Sequence, residues 1–435
     1  MKTLWIVNHY AHHAERDGRA TRHQHLAAGL ARLGWRTVVI TAGTDHPTGR
    51  SHLRGGVRLR ERWAGDGYEF CWLRGVDHQG SGPARTARRV ADMVAFTALA
   101  LTPGMLRGLP RPDVVLGGSF HPFAAWAGSA LAQRYGVPFV FEPRDLWPES
   151  ALGLAGMTER HPVIRLLRSV ERRTVGRAKH IISPLEGVGR YYEARGHDVD
   201  FTWIPNGVDL TESATCETAA PSDSDEHGRP FTVTYIGSMG PANALEAVID
   251  GFDLAWRRAQ ADGRPPIALR LVGDGSDVTR LRERAARLPS APAIHWDGRV
   301  PQGEARRIGR QAGCLVVNMH DLDLYTHGVS MNKQFEYMLL GRPLLVGAPV
   351  PLEPVRASRS GIHVRPDDPT ALADGILELA AMSPGTRAEM GDRGREYVRR
   401  EHDYCVLAAT VAGVLDAVTA QPQHDADDHA GGNRP

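Results

Sequence analysis

At 435 residues the chain is too long for one ordinary core and long enough for two domains of about 200 residues each. Hydrophobic residues make up 42% and charged residues 23%, the balance of a soluble globular protein, and a net charge of +2 exerts no global pull on nucleic acid. Four scattered cysteines, Cys71, Cys216, Cys314 and Cys405, form no C-x-x-C pair, so neither a disulfide framework nor a zinc site is implied, which fits a reducing cytoplasm.

The N-terminal TLWIV run (residues 3–7) reads as a buried strand rather than a signal peptide, because polar residues begin after five apolar ones. A polar loop follows through Gly18. A helix carrying Leu26, Leu30 and Leu33 then ends at Gly34, and RTVVIT is the next strand. This is a βαβ opening, which presents ligands in its first loop, at the carboxyl end of the strand. Arg19 and Arg22 flank Gly18 and could meet anionic groups there; a solvated helix start is the plainer use of both. VRLRERW and FCWLR predict a hairpin turning at Gly65-Asp66-Gly67, a helix follows from about Thr86, and DVVLGGSF is a strand with His121 at its end. The longest apolar segment, Val94 to Leu106, is broken by Pro103 and Gly104 and is too short to span a bilayer.

VPFVFEPRDLWPES predicts a strand over Val137 to Phe141 that delivers Arg144 and Asp145 to its carboxyl end. There Asp145 could act as a base or Arg144 could contact a phosphate; an internal Arg-Asp pair shaping the turn accounts for them as well. A helix from about Val163 to Arg177 sets Ile164, Leu167 and Val170 against Arg165, Arg168, Arg172 and Arg173. Such a basic amphipathic face suits either solvent or an anionic lipid surface.

WIPNGVDL turns at Asn206-Gly207 and introduces a Ser-, Thr-, Asp- and Pro-rich linker. The predicted organisation is a first domain over 1–205, a linker over 206–230, a second domain over 231–400, a terminal helix over 401–420 crossing back, and a disordered tail over 421–435. In the second half FTVTYIG, IALRLVGDG, AIHWDGRV and CLVVN are strands, with Gly237, Ser238, Met239 and Gly240 in the first βα loop and Gly273, Asp274 and Gly275 in the next. Alternating strands and helices in both halves predict two α/β domains with parallel sheets.

The stretch YTHGVSMNKQFEYMLLGRP is the most informative. Ser330 is a good N-cap, Met331 to Leu340 are mostly helix formers, and Gly341-Arg342-Pro343 ends the helix. A helix start of this kind suits a phosphate or diphosphate; Lys333 adds a charge in the first turn, and Glu336, three residues on, could accept hydrogen bonds from ribose hydroxyls. The same residues would also serve as an ordinary packed helix.

G-V-S-x-N-K-x-F-E-Y-M-x-x-G-R-P resembles the sugar-nucleotide signature of retaining glycosyltransferases of the GT-B architecture, two facing Rossmann-like domains with an interdomain cleft, in family 4. With R-D-L-W-P-E-S it is most similar to the branch that adds N-acetylated amino sugars in bacterial surface polysaccharides, and the likeness covers nearly the whole chain. It implies a nucleotide diphosphate sugar donor, bound at Gly237, Ser238, Gly240, Gly273, Gly275, Arg299, Gly328, Val329, Ser330, Asn332, Lys333 and Glu336, with the base read near Arg299. With the positions read above, the candidate catalytic residues are Asp145, Arg144 and Lys333. The candidate acceptor-binding residues are Gly18, which resembles the family's small residue in that loop, Arg19, Arg22 and His121, a lone histidine before proline for which a structural role is the plainer use. Closure of the domains would join the substrates, and the acceptor would be a hydroxyl of a glycan, often on a polyprenyl diphosphate, with peripheral contact at the inner face of the cell membrane. Two departures stand out. A Glu common in relatives eight residues before Glu336 is Gly328 here, and the basic pair of the first βα loop is replaced by Ser238, Met239 and Asn243. A same-fold sugar-nucleotide epimerase and a non-catalytic binding subunit therefore remain the alternatives.

Asp321-Leu322-Asp323 and, in the linker, Asp223-Ser224-Asp225 both match D-x-D, which shows how little that pattern says; no metal or cofactor is expected. The absence of G-x-x-x-x-G-K-[ST], G-x-S-x-G and H-E-x-x-H leaves NTPase, serine hydrolase and zincin chemistry without support.

Overall fold

The structure, a computed structural model, describes residues 1–46, 48–53, 59–80, 82–155, 157–210, 230–350 and 352–420. The chain forms two compact units: one comprises Met1–Ser183, Val188–Ile204 and the segment from Ala408, the other Pro184–Gly187 and Pro205–Leu407. Most of the predicted linker (211–229), with Cys216 and Asp223, and the tail (421–435) lie outside the described residues.

The first unit is an eight-stranded sheet in the order β3-β4-β2-β1-β5-β6-β7-β8. Its strands are β1 (Thr3–Val7), β2 (Arg36–Ala42), β3 (Arg60–Gly65), β4 (Tyr68–Leu73), β5 (Val114–Ser119), β6 (Phe139–Pro143), β7 (His180–Ser183) and β8 (Phe201–Trp203). All neighbours run parallel except the β3-β4 hairpin, whose turn uses Asp66 (φ 46°) and Gly67 (φ 83°) in the left-handed geometry that two-residue hairpins favour. Helices α1 (Ala14–Asp17), α2 (Arg22–Arg32), α3 (Gly82–Leu101), α4 (Pro122–Tyr135), α5 (Glu149–Ala155), α6 (Pro162–Val175) and α7 (Val188–Glu193) connect the strands. β1 is buried along its whole length, as a central parallel strand covered on both faces must be.

The structure shifts several sequence expectations. The polar loop before Gly18 contains the short helix α1. The helix expected from Thr86 begins four residues earlier, at Gly82 and Pro83, where proline suits a first helical position. β6 starts two residues later than expected, because the Val137 N–H still donates to Ala132 O (3.0 Å) beyond the left-handed Gly136 that ends α4. Arg168 leaves the basic face of α6 and binds Glu149 and Glu159, both at 2.7 Å.

The second unit is a six-stranded, all-parallel sheet in the order β11-β10-β9-β12-β13-β14. Its strands are β9 (Phe231–Ile236), β10 (Ile267–Val272), β11 (Ile294–Gly298), β12 (Cys314–Asn318), β13 (Leu344–Gly347) and β14 (Gly361–Val364). Helices α8 (Leu245–Ala261), α9 (Val278–Ala285), α10 (Gln302–Arg310), α11 (Asn332–Leu339), α12 (Glu353–Ser358), α13 (Pro369–Ala381), α14 (Pro384–Glu401) and α15 (Tyr404–Ala420) complete it, α15 running on into the first unit. One core lies between the sheet and the paired α8 and α13; a second, built on Phe335, Tyr337 and Met338, fixes α11.

Beneath the first unit's sheet ends lies a fully buried charge. Glu142 accepts from Arg22 Nε (2.9 Å) and pairs with His23 Nε2 (2.6 Å), while Arg22 also donates to Ile204 O (2.8 Å). Burial pushes the Glu142 carboxyl up, but His23 and Arg22 outweigh it and hold it far below the usual carboxylate range. Its stabilising contribution is therefore full above the unfolded pKa near 4.5 and is lost as pH falls towards the folded value. Glu142→Gln is expected to cost about 3 kcal/mol, because Arg22 would stay buried without its acid. In urea denaturation the gap between variant and wild type should narrow on going from neutral pH to about pH 3.

Candidate active site

In a doubly wound sheet, ligands bind beyond the strand ends where the strand order reverses. In the second unit that point is β9, which has β10 on one side and β12 on the other. The chain leaving β9 is clasped to the chain leaving β10. Gly237 N donates to Val272 O (2.9 Å), Met239 N to Asp274 O (2.9 Å), and Asp277 N to Met239 O (3.1 Å). The two backbones pass so closely that a Cβ on Gly273 (φ 133°) would meet Gly237 O at 1.9 Å, and one on Gly275 would meet Met239 O at 2.3 Å. The glycines expected to bind donor thus have a packing reason of their own.

Helix α11 is pinned to this loop through Tyr337, whose hydroxyl accepts from Ile236 N (2.7 Å) and donates to Ile236 O (2.6 Å). Its helical register lays Lys333 across Gly237, where a Cβ would meet Lys333 Cε at 2.9 Å. Lys333 Nζ donates to Tyr235 Oη (2.7 Å) and Asn243 Oδ1 (2.9 Å), and sits 4.2 Å from the Tyr235 ring centroid. Burial lowers the Lys333 pKa to about 8, with the Glu336 carboxylate pulling the other way. Glu336 lies one turn further, its carboxyl pushed up by surrounding protein against Arg306 and Lys333. Its side chain is nonetheless open to water, so solvent screens much of that effect. A solvent-reached carboxylate ringed by protein is the environment of a recess wall.

Gly237, Ser238 and Lys333 are thus together, Glu336 follows on the same helix, and the Cβ position of Gly240 lies 3.9 Å from Ser276 Oγ and 4.0 Å from Ser238 Oγ. Two of the other expected donor residues have partners within the protein. Ser330 does not cap α11: the helix begins at Asn332 with Met331 in the cap position, because Ser330 Oγ is taken by Asn206 Nδ2 (2.8 Å). Val329 packs against the α11 core, while Asn332 and Arg299 are exposed. Gly328 has φ 105°, and a Cβ there would meet Glu186 N at 2.8 Å, so a side chain is excluded at the position where relatives commonly carry Glu. Sequence reasoning missed Tyr235 and Arg306. Only the alignment of α10 and α11 against β9 reveals them.

In the first unit the order reverses at β1, between β2 and β5. The run Asn8-His9-Tyr10-Ala11-His12-His13 after β1 is buried throughout, a histidine-rich signal at a strand end that went unused in the sequence reading. His9 Nε2 contacts Asp92 Oδ2 (2.9 Å), and Asp92 is held by Thr44 Oγ1 (2.8 Å) and Val76 N (2.7 Å). His121, at the end of β5, stacks edge-on against His9 with ring centroids 4.8 Å apart. It is fully buried, and among the described residues neither of its ring nitrogens has a hydrogen-bond partner. Burial, then His9 and Arg89, drive its pKa well down, so the ring is neutral. Beyond β6, Asp145 is exposed; surrounding protein raises its pKa against Arg144 and Arg89, an effect again screened by water. Among the described residues Arg144 and Asp145 form no ion pair, so the internal pair that the sequence left open is absent.

Gly18 ends α1 in the left-handed conformation (φ 71°) with nothing near its Cβ position, and Arg19 donates to Asp45 (2.8 Å). Arg22 is not available to an acceptor, since its guanidinium is turned inward onto Glu142. Around Asp321, as elsewhere among the described residues, no group of three or more His, Cys, Asp or Glu is placed to hold a metal ion.

Residues 17–207 match the family described as glycosyl transferase 4-like domain, and residues 230–382 match glycosyl transferases group 1. No curated protein is similar in sequence at a meaningful level. Among solved structures, sucrose-phosphate synthase from Thermosynechococcus elongatus is similar at TM-score 0.65 and 16% identity, over 97% of this chain and 100% of that one. The α,α-trehalose 6-phosphate synthase from Burkholderia multivorans is similar at 0.64 and 15%, over 96% and 97%. Anabaena HepE in complex with UDP-glucose is similar at 0.60 and 14%, over 96% and 100%. At such identities these likenesses establish the fold.

The Lys333 environment sets a pH dependence for anion binding. Its pKa is depressed to about 8, so the ammonium is charged at neutral pH and loses its charge as pH rises through that value. Calorimetry with inorganic pyrophosphate should show affinity falling about tenfold between pH 7 and pH 9.5. The same titration on Lys333→Met should be weak and nearly flat.

Proposed function

The chain is a glycosyltransferase, a glycosyl transferase 4-like domain followed by a group 1 domain, and we propose that it moves an N-acetylated amino sugar from a nucleotide diphosphate donor to a hydroxyl of a lipid-linked glycan. The observation that carries the donor half is the placement of Lys333 over the loop that leaves β9, with Glu336 one turn on. UDP in the HepE complexes supports a uridine donor. The sugar and the acceptor class rest on the R-D-L-W-P-E-S and N-K-x-F-E-Y-M motifs.

In the reaction the bond from the anomeric carbon to the diphosphate oxygen breaks, and a bond to the acceptor oxygen forms with retention. Negative charge gathers on the departing diphosphate, where Lys333 and the first main-chain N–H groups of α11 would receive it. We assign this work to the protein's own groups, without a metal. Glu336 would take the ribose hydroxyls. Asp145 would accept the proton of the attacking hydroxyl, and neutral His121 would hold the acceptor through its unpartnered nitrogens.

No described helix is long and apolar enough to cross a membrane. Peripheral contact is proposed through α6, where exposed Val163 and Leu166 stand beside exposed Arg165, Arg172 and Arg173.

Screening UDP, GDP, ADP and dTDP sugars by thermal shift in the presence of EDTA should find one nucleotide that stabilises the protein. Glu336→Ala should then weaken that donor about tenfold, and Lys333→Ala should lower kcat by about a hundredfold. Asp145→Asn should slow transfer while leaving donor affinity intact. Turnover of donor to an epimer without acceptor would overturn the transferase reading.

A further inference from the structure

Only three of the 52 basic residues are lysines, at positions 2, 179 and 333, in a chain that otherwise uses arginine. Lys2 is an exposed residue bound to Asp416, and Lys179 is exposed. Lys333 alone is set into a site. Its surroundings explain why a lysine stands there. The Cε lies 2.9 Å from the position of a Cβ on Gly237, so it rests against bare backbone, and the ammonium at its end is a compact charge with three donors.

Two of those donors are taken by neutral oxygens. Tyr235 Oη accepts one and itself donates to Ser238 O; Asn243 Oδ1 accepts the second, and Asn243 Nδ2 donates to the same Ser238 carbonyl (2.9 Å). Both holders are thus oriented by one backbone oxygen of the loop that lacks the basic pair. Among the described residues no carboxylate comes within ion-pair distance of Lys333. The charged or titratable groups facing it are Tyr235 from β9 and Glu336 from its own helix, with Arg306 of α10 acting on Glu336.

We infer that Tyr235 and Asn243 are positioning residues: they aim the Lys333 ammonium with neutral oxygens, so that its charge remains uncancelled for the diphosphate. This rests on the donor reading above and extends it to residues outside the motif. A carboxylate at either place would orient the lysine equally well but neutralise it. A neutral holder fixes the direction of the charge and leaves its field intact. The third N–H is left to meet a phosphate oxygen. Burial without a counter-ion depresses the lysine pKa to about 8, so donor binding near that pH should draw in a proton.

The small number of lysines makes this measurable. Protein labelled with [13Cε]lysine should give three signals, and the Lys333 signal, identified by its loss in Lys333→Arg, reports the ammonium directly. Tyr235→Phe keeps the ring and removes the acceptor, so the Lys333 midpoint should move down. Asn243→Asp should move it up by about one pH unit or more. Adding the nucleotide diphosphate selected from UDP, GDP, ADP and dTDP should raise the wild-type midpoint. Tyr235→Phe should weaken that nucleotide about fivefold in the wild type and not at all in the Lys333→Ala background. Asn243→Asp should weaken it too, and Lys333→Arg should fail to restore binding. Equal losses from Tyr235→Phe with and without Lys333, or midpoints unmoved by both substitutions, would overturn the inference while leaving the donor reading in place. If none of the four nucleotides binds the wild type, the donor reading falls and the inference falls with it. Asn243→Asp, at a surface loop, keeps the test open should Tyr235→Phe fold poorly.

Discussion

The second unit depends on how closely two main chains pass at the end of β9. Gly237 O lies 1.9 Å from where any side chain on Gly273 would begin, and the chain leaving β10 bonds to Met239 from both sides. That contact leaves no room for side chains on Gly273 and Gly275, and Gly237 presents bare backbone to Lys333. Lys333 occupies this surface. The clasp therefore determines where the one buried lysine can lie, and the Tyr337 bonds to both polar groups of Ile236 determine which residue of α11 lies there.

The two units treat buried charge in opposite ways. In the first, Glu142 is fully enclosed and answered by Arg22 and His23, so its charge is cancelled on the spot and contributes to integrity. In the second, Lys333 is held by oxygens that carry no charge. The first arrangement is that of a structural ion cluster, and the second leaves a positive charge without a counter-ion among the described residues. His121 is a neutral counterpart, a buried ring whose nitrogens have no hydrogen-bond partner among the described residues.

The structural neighbours share 16% identity or less with this chain yet cover nearly all of it. A likeness at that distance shows the fold, which parallel βα packing can maintain without particular side chains. The groups at the reversal points are free to change. Here the loop after β9 carries Ser238, Met239 and Asn243, and the positive charge beside it is Lys333, arriving from another helix.

By itself the sequence determined the two α/β domains, because buried parallel strands demand apolar runs punctuated by Gly-bearing turns, and these were plain in TLWIV, FTVTYIG and CLVVN. It also determined that Lys333 and Glu336 share a helix next to a glycine-bearing loop. What it left open were the strand and helix edges, as at β6 and α11, where a single hydrogen bond from Val137 or Asn206 shifted the boundary. Only the tertiary structure decided that Arg22 faces inward, that Ser330 pairs with Asn206 rather than capping α11, and that Tyr235 holds Lys333. Those outcomes are contacts between residues 98 to 124 positions apart, and local pattern carries no information about which distant atoms will meet.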